Sequence, residues 1–304
     1  MEHLRRREFL GMSLGVAASL GAKEPEVKFP AEPRIRLSVS TYPFRHEIAT
    51  AQAEEGEAGG SGMTLEQFAR TIPAKFNVHG IEPWGRHLKS TDPDYVHGLR
   101  SAFQGAGLHV VNIPVDIREH LCGNDSERNE SLAGYRKWVD AAVILGSPSI
   151  RVHMPQGEKG DQISCAVRGL KMVAEYGASK NVVVNIENDE PEIEQPARIA
   201  RVIKAVDNRY LRALPDFCNS MIIQDDQNFN NTGLRLLFPL AYNISHVKDS
   251  EQDGKKIYRV DVDQIFAIAK EAGYKGYFSM EFEGAGDPYQ GTKKLLDASL
   301  RALG

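Results

Sequence analysis

The sequence predicts an α/β fold, a single (β/α)8 barrel. Three observations carry this prediction. The chain has 304 residues, enough for one barrel of roughly 250 residues with a short extension. Eight short apolar runs alternate with helical patterns, and no change in composition splits the chain into halves. Four late runs each end in a side chain able to hold a metal: Glu187, Asp216, His246 and Glu281. The steps between these residues are 29, 30 and 35 positions, each about one strand, one helix and two loops. In such a barrel the carboxyl ends of all strands meet on one face, where active sites lie.

Residues 1–22, MEHLRRREFLGMSLGVAASLGA, read as a leader outside the fold. A basic start, a mild apolar middle and a small-residue end make a secretory signal. Arg6-Arg7-Glu8-Phe9-Leu10 resembles the twin-arginine export motif; a general secretory signal with a chance arginine pair is the competing reading. An exported, periplasmic location is therefore expected. Residues 23–33, KEPEVKFPAEP, read as a linker, and 34–304 as the barrel.

The first strand covers 34–41 and opens into a long glycine-rich loop, 46–62, which reads equally as a lid or as a surface loop. A helix follows over 63–75, with Thr64 as its cap and Glu66 close behind. The second strand, 76–84, ends in Glu82, and its helix spans 92–107. The third strand, 108–115, ends near Asp116 and leads to a helix over 128–145. The fourth strand, 149–154, ends in His153 and leads to a helix over 161–178. Strand five, 181–187, has no alternation, as a strand covered on both faces should. Helix five is 196–207, strand six 212–216, helix six 233–241 and strand seven 243–246. A hydrophilic hairpin-like stretch over 249–256 precedes helix seven at 261–272. Strand eight is 277–283, and an amphipathic helix over 291–303 closes the chain.

Composition narrows the function. The formal charge is −4, and removing three arginines and two glutamates with residues 1–22 takes it to −5. This is no basic footprint for nucleic acid. No apolar run is long enough to span a bilayer. The three cysteines, Cys122, Cys165 and Cys218, are too few for a disulfide framework, and the odd count leaves at least one thiol unpaired. Cys218 is expected to be packed, since a thiolate suits a carboxylate-rich site poorly. No G-x-G-x-x-G or Walker loop follows a strand, so a nucleotide cofactor is not expected.

Two glutamates, one aspartate and one histidine make an oxygen-rich site for a divalent ion, with manganese first and magnesium, cobalt or zinc as alternatives. Two open positions would let a hydroxy-ketone or hydroxy-aldehyde chelate the ion, and an enediolate would be stabilised there. Each residue also has a structural reading. Glu187 opens a charged loop, Asp216 follows Pro215, His246 alone would fit a core, and Glu281 and Glu283 share a strand face where one could be an ion-pair partner. Glu82, Trp84 and His153 fall at strand ends on the same face and are candidates for touching substrate, Trp84 as a stacking platform for a sugar ring.

The segments VNIEN (184–188), LPDFCN (214–219), ISHVKD (244–249) and GYKGYFSMEFEG (273–284) resemble the sugar phosphate isomerase/epimerase family of xylose isomerase-like barrels, from about residue 34 to the end. The resemblance implies a divalent metal held by Glu187, Asp216, His246 and Glu281, with Glu187 and Glu281 doubling as the acid/base pair. It places Lys248 in the site, holding a substrate oxygen. Exported branches of the family carry twin-arginine leaders. Asn219 stands where many members have a second histidine, and with Glu283 it is a further substrate-binding candidate. That departure, the acidic charge and export argue against the family's nuclease branch. Gln252 stands where tagatose-type epimerases have an arginine.

The resemblance thus implies a metal-dependent isomerase or epimerase acting on a polyhydroxy carbonyl compound. Two alternatives are a metal-dependent lyase or hydratase acting on 3-keto-sugars or 3-keto-glycosides, and a sugar-binding module without catalysis. The expected partner is a small, neutral carbohydrate, with no nucleic acid and no membrane after leader removal. A homodimer is left open.

Overall fold

The barrel wall is made of short strands that are buried along nearly all of their length. In β1 (Leu37–Ser40), β2 (Gly80–Glu82), β5 (Ser149–Val152) and β6 (Val183–Glu187) every position is buried. Parallel strands behave this way when helices cover one face and a packed interior the other. The computed structural model describes residues 23–50, 62–117, 121–156 and 162–304. The leader at 1–22 and residues 51–61 of the expected lid lie outside them.

The third predicted strand is broken into β3 (His109–Val110) and β4 (Ile113–Pro114). β3 pairs with β2, and β4 with β5. One parallel sheet therefore runs β3-β2-β1-β11-β8 and another β4-β5-β6-β7, where β7 is Leu211–Leu214, β8 Ile244–Val247 and β11 Tyr277–Met280. The second seam, between β7 and β8, is held by a parallel bridge from Asp216 to His246. Each seam carries a proline, Pro114 or Pro215, which lacks the N–H that would extend the ladder. At the second seam the Pro215 carbonyl still accepts from the His246 N–H at 3.1 Å and from Ser245 Oγ at 2.6 Å.

Capping side chains set where the helices begin. The helix expected over 63–75 is two short ones, α1 (Leu65–Ala69) and α2 (Thr71–Phe76). Thr64 caps α1 as expected, but its reciprocal partner is Gln67, not Glu66. Asp92 caps α3 (Pro93–Gly105), and an Asn124–Glu127 capping box opens α4 (Asp125–Leu145) earlier than the sequence reading placed it. α5 (Gln162–Lys180) and α6 (Pro196–Val206) follow. The sixth helix begins earlier than expected: a turn of helix, α7 (Ser220–Ile223), precedes α8 (Gln227–Leu237), which Asp226 caps. The stretch between β8 and α9 (Val262–Glu271) is a true antiparallel hairpin, β9 (Ser250–Asp253) with β10 (Lys256–Arg259). Strand β11 stops at Met280, short of the predicted 283, and α10 (Pro288–Leu303) ends the chain.

Residues 23–33 are not a free linker. The Phe29 ring meets those of Tyr242 and Tyr277 at 5.3 and 6.1 Å, packing near the starts of β8 and β11. Tyr242 Oη donates to the Pro25 carbonyl at 2.5 Å, and Glu24 pairs with Arg212 at 3.0 Å. A segment with one aromatic and alternating charges can dock this way, because the barrel's lower rim offers both an apolar spot and arginines. Cys122, just before α4, is disulfide-bonded to Cys165 in α5, with Cα atoms 5.2 Å apart. Cys218 is free and buried, as expected.

Candidate metal centre

Glu187 is the last residue of β6, and Asp216 lies just past β7. His246 is within β8, and Glu281 follows β11. All four side chains are buried, and one ligand atom from each falls within 4.8 Å of the others. His246 Nδ1 lies 2.7 Å from Glu187 Oε1 and 3.0 Å from Glu281 Oε2. Asp216 Oδ1 accepts the N–H groups of Cys218 and Asn219 at 2.8 and 2.7 Å. Its Oδ2 is buried and has no hydrogen-bond partner.

That orphaned oxygen tests whether the residues suit a cation. A buried carboxylate oxygen with no hydrogen bond, its nearest cation Lys248 Nζ at 3.7 Å, is costly, and an ion gathering Asp216 Oδ2, His246 Nδ1, Glu187 and Glu281 would satisfy it. Three carboxylates and an imidazole are a hard, mixed N/O set suited to manganese, magnesium, cobalt or zinc. The residues fit a divalent ion.

The electrostatics follow from crowding. Burial pushes the Asp216 carboxyl up to about 7, against the pull of Lys248. Burial also raises Glu187, although His246 and Arg151 oppose it. For Glu281, His246 and Lys248 outweigh burial and hold the carboxyl below its ordinary value. Burial would lower His246, but the carboxylates of Glu187, Glu281 and Glu82 win, and the imidazole lies well above its usual range.

A cavity of about 320 Å³ opens onto this centre. Lys248, Asn219, Glu283, Trp84 and His153 line it together with Glu187 and Glu281. Lys248 Nζ donates to Asn219 Oδ1 at 2.9 Å, to Glu283 Oε2 at 2.8 Å and to Glu251 Oε2 at 3.1 Å. Burial would lower this lysine, but Asp216, Glu251, Glu283 and Glu281 keep it well above the ordinary value. Trp84 is nearly buried and its indole N–H donates to Asp116 Oδ2 at 2.6 Å, so only part of the ring faces the cavity. His153 Nδ1 lies 3.3 Å from Glu194 Oε2, with Arg151 Nη1 2.8 Å from its other nitrogen. Glu82 departs from expectation. It is wholly buried behind His246, 3.0 Å from Nε2, and accepts from Asn112 Nδ2 at 2.8 Å. β2 ends at Glu82, so its side chain points into the barrel interior and not toward the cavity.

Three neighbours escaped the sequence reading as site residues. Arg151 packs its guanidinium among Asp116 (3.1 Å), Glu187 (3.0 Å) and Asp189 (3.8 Å). Its Nε approaches Glu187 off the line of a hydrogen bond. His153, Asp189 and Glu194 also lie close together, but this arginine already supplies their positive charge. Arg151 lies two positions before His153 on β5, so strand alternation was a signal for it. Asp116 was visible as a strand end. Glu251, three residues after Lys248 on the hairpin, gave no barrel-period signal.

The chain belongs to the xylose isomerase-like TIM barrel family, whose profile matches residues 73–303. No curated protein matches it in sequence. Among solved structures it is similar to a xylose isomerase-like TIM barrel protein from Mycobacterium smegmatis in complex with magnesium. That match has a TM-score of 0.67 and 15% identity, over 88% of this chain and 97% of the other. A 3-keto-D-glucoside 4-epimerase from E. coli in its apo form matches with a TM-score of 0.63 and 19% identity, over 83% and 98%. A probable 3-DHS dehydratase from Bacillus anthracis matches with a TM-score of 0.61 and 16% identity, over 88% and 98%.

Proposed function

We propose that the protein is a divalent-metal-dependent sugar isomerase or epimerase that moves a proton beside the carbonyl of a polyhydroxy substrate. The observation that carries this reading is the orphaned Asp216 Oδ2 among the grouped ligand atoms of Glu187, His246 and Glu281. These four residues would hold the ion, with manganese the first candidate. When bound, it would polarise a substrate carbonyl and acidify the adjoining C–H. Glu187 and Glu281 both line the cavity, so one carboxylate can take a proton from carbon while the other returns one. Lys248, fixed by Asn219 and Glu283, donates to a substrate oxygen. Arg151 orients Glu187. The magnesium complex and the epimerase among the similar structures support this reading.

The test is turnover in D2O by the manganese-loaded protein, offered free ketoses and 3-keto-glucosides. An epimerase yields an isomer carrying one solvent deuteron, and Glu281→Gln loses that exchange while still folding. The second reading, elimination on a 3-keto-sugar, is favoured by the fold shared with a probable dehydratase. A product lighter by the leaving group would establish it. Absence of exchange and of mass change with every sugar would overturn both.

Export through the twin-arginine route is part of the same proposal. The Cys122–Cys165 disulfide supports it, since such bonds persist in oxidising compartments.

A further inference from the structure

A second cavity, about 560 Å³, abuts the one above the metal centre. The two share Tyr42, Glu251 and Glu283 in their walls. The inner cavity, about 320 Å³, is near the lower end of the roughly 300–1,000 Å³ range of small-ligand sites. It suits one sugar ring. The outer one is larger and is built by loops: the turn after β1, the β9–β10 hairpin and the segment between β11 and α10.

The outer wall has the chemistry of a sugar subsite. Arg45 and Gln252 offer donors and an amide oxygen at the rim, while Phe282 and Pro288 supply an apolar surface for the C–H face of a ring. Gly286, at φ 120°, lets the last loop turn where a side chain would be strained. The junction is acidic. Glu251 and Glu283 both bind Lys248, which also neighbours Asp216 and Glu281 at 3.7 and 3.3 Å. Glu251 and Glu283 therefore present carboxyl oxygens to whatever crosses this junction. Hydroxyl groups, which donate to carboxylates, would be held.

We infer that the substrate is a glycoside, with its reacting sugar in the inner cavity and a second neutral sugar unit in the outer one. This rests on the sugar chemistry proposed for the inner site. A free monosaccharide would leave the outer wall without a role.

The experiment compares the manganese-loaded protein on 3-keto-D-glucose and on the 3-keto forms of trehalose, maltose and cellobiose. The expected result is a kcat/KM at least tenfold higher for one of the disaccharides, the gain lying in KM. Ala285 is exposed on the outer wall, so Ala285→Trp fills the cavity without burdening the core. It should bring the disaccharide-to-monosaccharide ratio close to one, and Gln252→Ala should lower it several-fold. Equal efficiency on the monosaccharide and all three disaccharides, or a ratio unmoved by Ala285→Trp, overturns the inference. If no sugar is turned over, the proposed chemistry fails and binding decides the subsite. Calorimetry would then compare glucose with the three unmodified disaccharides. Tighter disaccharide binding that Ala285→Trp abolishes supports the outer site; equal or absent binding overturns it.

Discussion

Glu82 Oε1 lies 3.0 Å from His246 Nε2, on the side of the imidazole away from Glu187 and Glu281. The ring is thus fixed with Nε2–H donating to Glu82, and Nδ1 is presented to the ligand cluster. Outer partners of this kind hold a metal-binding histidine in one tautomer and raise its basicity. Glu82→Ala should weaken manganese binding by roughly 10- to 100-fold, read by titration calorimetry. Unchanged affinity would mean that the ring needs no such anchor.

Metal uptake should release protons. The His246 imidazole lies well above its ordinary pKa, and burial lifts Asp216 to about 7. An ion can bind Nδ1 and Oδ2 only once they are deprotonated. About one to two protons should therefore leave per ion near neutrality, and affinity should fall as pH is lowered from 7 to 5. Calorimetry in buffers of different ionisation enthalpy counts them. Asp216→Asn should abolish tight binding without lowering the melting temperature of the metal-free protein, since Asn Oδ1 can still accept from Cys218 and Asn219.

His87 should make the fold acid-sensitive. Thr41 Oγ1 accepts the Trp84 backbone N–H at 2.9 Å and lies 2.8 Å from His87 Nδ1. Burial, with the charge of Arg45, pushes the imidazole down from 6.5 to about 3. Above pH 6.5 the ring is neutral in both folded and unfolded chains, and it adds no pH dependence. Below that, the unfolded chain binds a proton that the folded one refuses. Stability should fall between pH 6.5 and 3, by up to about 5 kcal/mol at about 1.4 kcal/mol per unit. Urea melts at several pH values should show a shallower fall for His87→Gln than for wild type.

The disulfide should matter more for stability than for the site. Cys122 and Cys165 are 43 residues apart, and closing a loop of that length restricts the unfolded chain by about 4 kcal/mol in the entropic account. Reduction, or Cys122→Ser with Cys165→Ser, should lower the melting temperature by several degrees while metal affinity changes little. A melting temperature indifferent to reductant would remove the bond from the native protein.

What the sequence disclosed depended on whether the barrel's own period governed the residue. Glu187, Asp216, His246 and Glu281 recur at one repeat each, and the repeat carries every strand end to the same face. Their grouping was legible for that reason. Arg151 was legible only through its alternation with His153, because a cation inside a strand otherwise looks like an exposed position until its carboxylate neighbours are known. Glu251 stands on a hairpin outside the repeat, where spacing says nothing about direction. Gln227–Asn231 opens α8, but its polar run has no apolar stripe to announce a helix. Phe29 is one aromatic among prolines and charges, and only the folded rim reveals where it docks. The Cys122–Cys165 bond joins residues far apart in sequence, and three cysteines permit three pairings.

The β9–β10 hairpin hangs outside the closed wall, pairing only with itself. It nevertheless carries Glu251 to the boundary between the two cavities. Such an arm can be lengthened or shortened while the strands that carry the four grouped side chains stay as they are. Trimming or replacing that appendage would reshape the mouth of the two cavities without touching Glu187, Asp216, His246 or Glu281.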